Sequence, residues 1–177
     1  MGSEVLDVKY NTVQSWGQFE QSMQEVQSTT GRVAIDFETT DLRPRFAELV
    51  GISIAYRPNE ATYISFGGDD LARKDNAVAL ERLLEVCGER DFIAHNANYE
   101  LSIISNLLPD VSPPVLHDTM ILARLLGYES IGLKALCSEV NRTMEDFKSM
   151  LIRCGVTRIK DADPLDVTEY ACADALV

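Results

Sequence analysis

The stretch from Val33 to Leu42 (VAIDFETTDL) constrains the fold more than any other part of the sequence. A β-branched, apolar run leads into two carboxylates, Asp36 and Glu38, which are separated by one residue. Residues two apart on a strand point to the same face of a sheet, so these carboxylates should stand side by side at the end of a buried strand. Adjacent like charges repel each other, and a divalent cation removes that repulsion. The stretch therefore predicts either a metal site or a strand end whose acids face water.

The composition is that of an ordinary soluble, globular protein. The chain has 177 residues, of which 46% are hydrophobic and 25% charged, and this predicts one domain with a sizeable core. No apolar run approaches the roughly 20 residues needed to cross a bilayer, and the polar start lacks a secretory signal. The four cysteines show no CxxC pair and no zinc-like spacing with histidine. We therefore interpret them as reduced thiols of an intracellular protein with no membrane partner.

The net charge of −12 limits the kinds of partner that the chain can hold. Proteins that grip duplex nucleic acid along a basic surface usually have an excess of lysine and arginine, and this chain has the opposite. Two interpretations remain open. Either nucleic acid is not the partner, or metal ions carry the local positive charge and a neighbouring domain supplies the grip.

Hydrophobic spacing and turn residues predict an α/β fold, with a mixed sheet flanked by helices. The first three strands should form an antiparallel meander, and the later strands should pair in parallel through helical crossovers. We expect residues 1–30 to form an N-terminal helix and extension packed on a domain of residues 31–177. The last helix is still apolar where the sequence stops, which predicts a fragment of a longer chain. The predicted strands are 32–38, 49–56, 61–66, 92–95 and 115–117, with residues 4–13 irregular or a short edge strand; the predicted helices are 15–27, 76–87, 98–108, 118–126, 131–140, 144–152 and 164–177.

Two further motifs carry polar groups that this sheet could gather. The segment HNANYE (95–100) follows a strand and opens a helix, so that Glu100 lies near the helix N-terminus, where the helix dipole favours an anion. Tyr170 and Asp174 are four residues apart on the last helix and therefore share a face. Asp118 also begins a helix, and we interpret it as an N-cap rather than a metal ligand.

Together, these three motifs resemble those of the DEDDy exonucleases, and most closely the 3′–5′ proofreading domains of family A (Pol I-like) DNA polymerases. The segments LVGIS (49–53), DTM (118–120) and GLKAL (132–136) are similar to the linking segments of that family. The resemblance extends from about residue 30 to the end of the chain, in the family's order. It implies a ribonuclease H-like fold, which agrees with the predicted order of strands.

The resemblance implies a phosphodiesterase that uses two divalent cations, Mg²⁺ or Mn²⁺. Asp36 would bridge both ions, Glu38 and Asp174 would complete the shell of the first, and Glu100 would serve the second. Two cations about 4 Å apart can activate water and neutralise the charge of a cleaved phosphodiester. Tyr170 would orient the attacking water, since a free phenol titrates near pH 10.

The resemblance also suggests substrate contacts, each of which has a structural alternative. Leu42 matches an apolar residue that wedges against the terminal base, and Thr39 a residue near the terminal nucleotide; the alternatives are core packing and strand-end capping. Asn96 matches a residue that touches the substrate backbone, and Tyr99 a residue of the site wall, with a core aromatic as its alternative. One position departs from the family pattern, because Glu100 stands where the family normally carries Asp.

The function implied by the resemblance is a metal-dependent 3′–5′ exonuclease acting on single-stranded DNA ends. The chain would be the proofreading part of a DNA polymerase, with the polymerase domain in the same parent chain, in the cytoplasm of a bacterium or a phage-infected cell. Two alternatives stay open. The first is a ribonuclease H-like scaffold that has lost its catalytic activity, which Glu100 in place of the family's Asp suggests. The second is a stand-alone RNA exonuclease.

Overall fold

The computed structural model describes residues 8–67, 71, 76–88, 90–112, 114–140 and 142–176. Part of the predicted N-terminal segment (residues 4–7) lies outside this range, as does Val177. The strands are β1 (Lys9–Val13), β2 (Val33–Thr39), β3 (Leu49–Arg57), β4 (Glu60–Ser65), β5 (Phe92–Ala94) and β6 (Leu116–Asp118). The helices are α1 (Trp16–Gln27), α2 (Asn76–Cys87), α3 (Asn98–Leu107), α4 (Thr119–Leu125), α5 (Leu133–Glu139), α6 (Phe147–Arg153) and α7 (Pro164–Leu176).

The strands form one six-stranded mixed sheet in the order β1-β4-β3-β2-β5-β6. Strands β2, β3 and β4 pair antiparallel as a meander, whereas β5 pairs in parallel with both β2 and β6. The predicted fold class and the predicted meander are therefore confirmed. Strand β1 is the edge strand that the sequence allowed, and it pairs in parallel with β4.

Alternation along β2 divides the domain into two cores. Val33, Ile35 and Phe37 point to one face, where they join the larger core with residues of α1, α2 and α3. The residues between them point to the opposite face, where Ala34 packs beside the smaller core formed by β3, β4, α6 and α7. Successive side chains of a strand alternate between faces, so Asp36 and Glu38 share the α7 side of the sheet with Ala34.

Helix α7 lies close to the sheet because most of its buried side chains are small. Ala171, Cys172 and Ala175 are buried against β3 and β4, and the hydroxyl groups of Thr168 and Thr12 are 2.6 Å apart, which joins the helix to β1. This packing fixes the position of the face of α7 that carries the Tyr170 and Asp174 motif.

The structure differs from the sequence prediction in a few local places. Helix α6 begins at Phe147 rather than at 144, because the Asp146 side chain accepts a hydrogen bond from the Ser149 amide and so caps the helix there. Helix α5 begins at Leu133 rather than at 131, and Cys137 is its buried residue, whereas Leu133 and Leu136 are only partly buried. Two segments outside the predicted strands and helices each contain a short 3-10 turn, Pro44–Phe46 between β2 and β3 and Ile159–Asp161 between α6 and α7. No helix in the described part of the chain is long and apolar enough to cross a membrane.

Candidate active site

One cleft at the carboxyl end of β2 contains every site residue predicted from the sequence. Its volume is about 460 Å³, and it opens between the β2 end, the start of α3 and the helices α6 and α7. The predicted residues that line it are Asp36, Glu38, Thr39, Leu42, Asn96, Tyr99, Glu100, Tyr170 and Asp174. Side chains that are far apart in the sequence thus face one space.

Three carboxylates form the acidic cluster of this cleft. Asp36 and Glu38 come from alternate positions of β2 and meet Asp174 from α7, with one oxygen of each lying within 4.8 Å of the others. Glu38 is only 5% exposed, so it is not a strand-end acid that faces water. Glu100, on α3, lies outside this group of three but lines the same cleft and is itself buried.

Burial raises the pKa of all four carboxyl groups, and the charge of an acidic neighbour adds to this at Asp36, Glu38 and Glu100. Burial and the charge of Asp174 raise the pKa of Asp36 to about 7, and burial and the charge of Asp36 raise that of Glu100 to about 8. The pKa of Glu38 is raised well above its ordinary value by burial and by both acidic neighbours. Burial raises the pKa of Asp174 to about 6 although Lys134 acts in the opposite direction. Without a cation, the site therefore holds protons near neutral pH.

The oxygen atoms of the site are suited to a divalent cation. Within the described residues, Glu38 Oε1 and Glu100 Oε2 are buried and have no hydrogen-bond partner. Buried polar atoms are normally paired, so orphaned carboxylate oxygens indicate a missing partner. Magnesium and manganese prefer oxygen ligands of this kind. The donor set therefore fits a divalent metal.

A family model described as 3′-5′ exonuclease matches residues 10–177 of this chain. The chain belongs to the 3′–5′ exonuclease family. DNA polymerase I of Chloroflexus aurantiacus is 33% identical over 153 residues, which are 81% of this chain and 16% of that protein. The chain thus spans only a small part of the curated relative that it matches.

Solved structures of other nucleases share the fold of this exonuclease domain. RNase D of Trypanosoma brucei superposes with a TM-score of 0.73 at 14% identity, covering 97% of this chain and 62% of that one. NrnC of Brucella melitensis with bound Mg²⁺ superposes with a TM-score of 0.63 at 21% identity, covering 96% and 74% of the two chains. The ribonuclease H-like fold implied by the resemblance is confirmed, and the family is metal-dependent.

The cleft has a wall formed by Tyr99 and the loop after β2. The Tyr99 hydroxyl donates a hydrogen bond of 2.7 Å to the Asp41 carbonyl and also bonds to the Thr39 hydroxyl. The Tyr99 ring packs partly on the larger core, so the residue is both a core aromatic and part of the wall. Leu42 is 92% exposed at the cleft, and core packing is therefore the wrong interpretation of that side chain.

Phe147 also lines the cleft, although the sequence analysis did not predict it there. Its ring lies 6.2 Å from that of Tyr170 at an angle of 59°, on the side of α7 that faces α6. The N-cap at Asp146 is the local signal that could have found it, because the cap makes Phe147 the first residue of α6. Asp41, another missed residue, reaches the wall through its backbone carbonyl, for which the sequence has no signal.

Proposed function

We propose that this domain removes nucleotides from the 3′ end of single-stranded DNA by metal-dependent hydrolysis. The observation that carries the proposal is the cluster of Asp36, Glu38 and Asp174, whose oxygens lie within 4.8 Å of one another inside the cleft. Such a cluster is unstable as a set of bare charges and is suited to phosphodiester chemistry once cations neutralise it.

Asp36, Glu38 and Asp174 would hold one cation, and Glu100 together with Asp36 would hold a second. When bound, two divalent cations supply an activated water and neutralise the charge that develops on the phosphodiester. The orphaned oxygens of Glu38 and Glu100 support this assignment of ligands. Mg²⁺ and Mn²⁺ both suit a site made of carboxylates alone.

Tyr170 would orient the attacking water by hydrogen bonding. Burial, followed by the charges of Glu38 and Asp174, raises the pKa of Tyr170, so its hydroxyl keeps its proton at neutral pH. Hydrogen bonding with the Asp174 carboxylate, one helical turn away, contributes to this rise in the pKa of Tyr170. A phenol that keeps its proton can orient a water molecule by hydrogen bonding but does not act as a general base.

The remaining side chains of the cleft fit an unpaired strand end. Leu42 is an exposed apolar side chain next to the acidic cluster, placed to wedge against a terminal base. Tyr99 and Phe147 offer ring surfaces, and bases of single strands stack on aromatic rings regardless of sequence. We assign Thr39 and Asn96 to the terminal nucleotide and the strand backbone. A frayed end needs only these contacts and the cations, which is compatible with a net charge of −12.

The proposed biological role is proofreading for a DNA polymerase in the same parent chain. The similarity to a bacterial DNA polymerase I, of which this domain corresponds to 16%, supports that context and a cytoplasmic location in a bacterium or a phage-infected cell. The likeness in fold to RNase D of Trypanosoma brucei motivates a second candidate, a 3′–5′ exonuclease that acts on RNA. The intact acidic cluster argues against a scaffold without chemistry.

The test is digestion of 5′-labelled DNA and RNA strands of the same sequence in the presence of Mg²⁺ or Mn²⁺. We expect a ladder of products shortened from the 3′ end, formed faster on DNA and abolished by EDTA or by Asp36→Ala. Faster digestion of RNA would support the second candidate instead. Absence of a ladder on both strands, or a ladder that survives Asp36→Ala, would refute the nuclease function of this site.

A further inference from the structure

We propose that Asp118 is a positioning residue that holds the β5–α3 junction in the conformation that presents Asn96 and Glu100 to the cleft. Asp118 ends β6, and its side chain does not line the cleft. It acts through the backbone of the neighbouring junction. This role rests on the proposed nuclease function, because it concerns residues assigned to that reaction.

The Asp118 carboxylate accepts hydrogen bonds from the starts of two helices, α3 and α4. Its Oδ1 accepts hydrogen bonds from the Met120 amide at 2.8 Å and from the Asn96 amide at 3.1 Å. Its Oδ2 accepts a bond from the Ala97 amide at 3.0 Å. The first of these contacts is the expected N-cap of α4. The other two cross from β6 to the start of α3 and have no part in capping α4.

The start of α3 needs this outside partner. Its own N-cap residue is Ala97, whose side chain cannot accept a hydrogen bond, although the first amides of a helix lack partners within it. Asn96 has a φ of +67°, in the left-handed region that is unfavourable for residues other than glycine. The bonds from Asp118 thus satisfy the amides of Asn96 and of the buried Ala97 and stabilise the left-handed turn at the same point.

Thr119 strengthens the same connection. Its hydroxyl lies 2.9 Å from His95 Nδ1 and 3.3 Å from the Ala94 carbonyl. Ala94 and Asp118 are paired in the β5–β6 register, so the segments that follow these two strands leave the sheet side by side. The Asp118–Thr119 pair therefore bonds to successive residues from Ala94 to Ala97.

The position of the Glu100 carboxylate depends on this junction because, within the described residues, one of its two oxygens has no hydrogen bond to hold it. Its Oε2 is buried with no hydrogen-bond partner among the described residues, so no polar contact of that atom fixes the carboxylate. Glu100 lies in the first turn of α3, directly after the bonded segment. A shift of that turn would move both Glu100 and Asn96 relative to the acidic cluster on β2.

The variants that test this role are Asp118→Ala, Asp118→Asn and Thr119→Val. Asp118→Asn keeps one acceptor oxygen and should show an intermediate effect. The matched control is Ser15→Ala, which removes the N-cap and capping box of α1, remote from the cleft. All variants are compared at a temperature at which each is fully folded, as judged by circular dichroism.

Two measurements follow, hydrogen exchange of the segment 96–101 and steady-state hydrolysis of single-stranded DNA. We expect Asp118→Ala to speed exchange of these amides by about tenfold or more, since they would open locally. We also expect kcat to fall by about tenfold or more, with a smaller change in KM, because displaced groups lose orientation. Thr119→Val should change the exchange rate and kcat in the same directions but by less than Asp118→Ala. Ser15→Ala should leave both quantities unchanged.

The outcomes separate this proposal from the proposed function. Unchanged exchange in Asp118→Ala, or the same kcat as in Ser15→Ala, would overturn the positioning role even if the wild type is an active nuclease. If the wild type cleaves neither DNA nor RNA, the proposed function fails. In that case Mn²⁺ titration of metal binding decides: weaker binding in Asp118→Ala than in Ser15→Ala supports the positioning role, and equal binding overturns it.

Discussion

Gly51 lies so close to the ring of Tyr63 that there is no room for a side chain between them. A Cβ at Gly51 would lie 2.6 Å from Cζ of Tyr63. Gly51 is paired with Glu38 in the β2–β3 register, and Tyr63 is fully buried on the neighbouring strand. The glycine thus allows a large ring to pack beside the segment of β2 that carries the acidic cluster.

Gly51→Ala should therefore destabilise the domain by about 1–3 kcal/mol, the usual effect of overpacking a core. The overlapping atoms belong to a buried ring that cannot move into solvent. Urea unfolding followed by circular dichroism measures the change in the free energy of unfolding. Gly17→Ala in α1 is the control, because a Cβ at Gly17 would meet nothing within 4 Å, and it should be neutral or slightly stabilising. Equal stability of the Gly51→Ala variant and the wild type would contradict this packing.

The buried carboxyl groups should make the metal-free domain less stable as the pH rises. The pKa of Asp36 is about 7 in the folded chain and near 4 in the unfolded chain, so the folded state binds more protons between these values. Its contribution to stability is present below about pH 4 and is lost as the pH rises through 7. Asp36→Asn removes this titration and leaves His95, whose lowered pKa acts in the opposite direction, in place.

In EDTA, Asp36→Asn should therefore be more stable than the wild type at pH 8, by about 2 kcal/mol or more, and the difference should shrink at pH 5. Added Mg²⁺ at pH 8 should stabilise the wild type more than the variant, because it binds the folded site. Thermal unfolding at the two pH values measures both effects. A difference that is the same at pH 5 and pH 8 would show that Asp36 does not titrate in this range.

Glu100→Asp should lower the nuclease rate rather than restore a family-like activity. Shortening the side chain by one methylene would draw the carboxylate back by about 1.5 Å toward α3. Glu100 is buried at the cleft, and misplacement of a functional group by this distance lowers the rate by roughly tenfold or more. Single-turnover hydrolysis of DNA measures the rate, with Glu100→Gln as the reference for loss of the charge. A clear gain of activity in Glu100→Asp would mean that the native site is impaired.

Leu42→Ala should weaken DNA hydrolysis and leave stability unchanged. The side chain is 92% exposed, so its removal costs no core packing, and surface changes of this kind stay within about 0.5 kcal/mol. If Leu42 wedges against the terminal base, KM for single strands should rise about threefold or more, since one buried apolar contact is lost. Leu125→Ala, at another exposed leucine (77%), is the control and should change neither quantity. An equal KM in the Leu42→Ala and Leu125→Ala variants would contradict the proposed contact between Leu42 and the terminal base.

Much of the candidate site could be predicted because its signals are local in the sequence. The alternation of β2 placed Asp36 and Glu38 on one face, and the four-residue spacing placed Tyr170 and Asp174 on one side of α7. The sequence also identified Asp118 as an N-cap, which the structure confirms. Each of these patterns depends on the geometry of one strand or one helix.

The features that were missed depend on which segments meet. The bonds from Asp118 to the start of α3 join residues more than 20 positions apart, and they follow from the β5–β6 register. The contact between Gly51 and Tyr63 depends in the same way on the pairing of β3 with β4. Phe147 reaches the cleft only because α6 packs beside α7. Periodicity predicts elements, but it does not specify these contacts between them.

Manganese bound at the acidic cluster can be located by anomalous scattering from crystals soaked in Mn²⁺. We predict a strong peak between Asp36, Glu38 and Asp174 and a second on the side of Glu100, with the first peak lost in Asp174→Asn. Wild-type crystals without a peak at this cluster, at a Mn²⁺ concentration that supports DNA hydrolysis in solution, would contradict the proposed metal site.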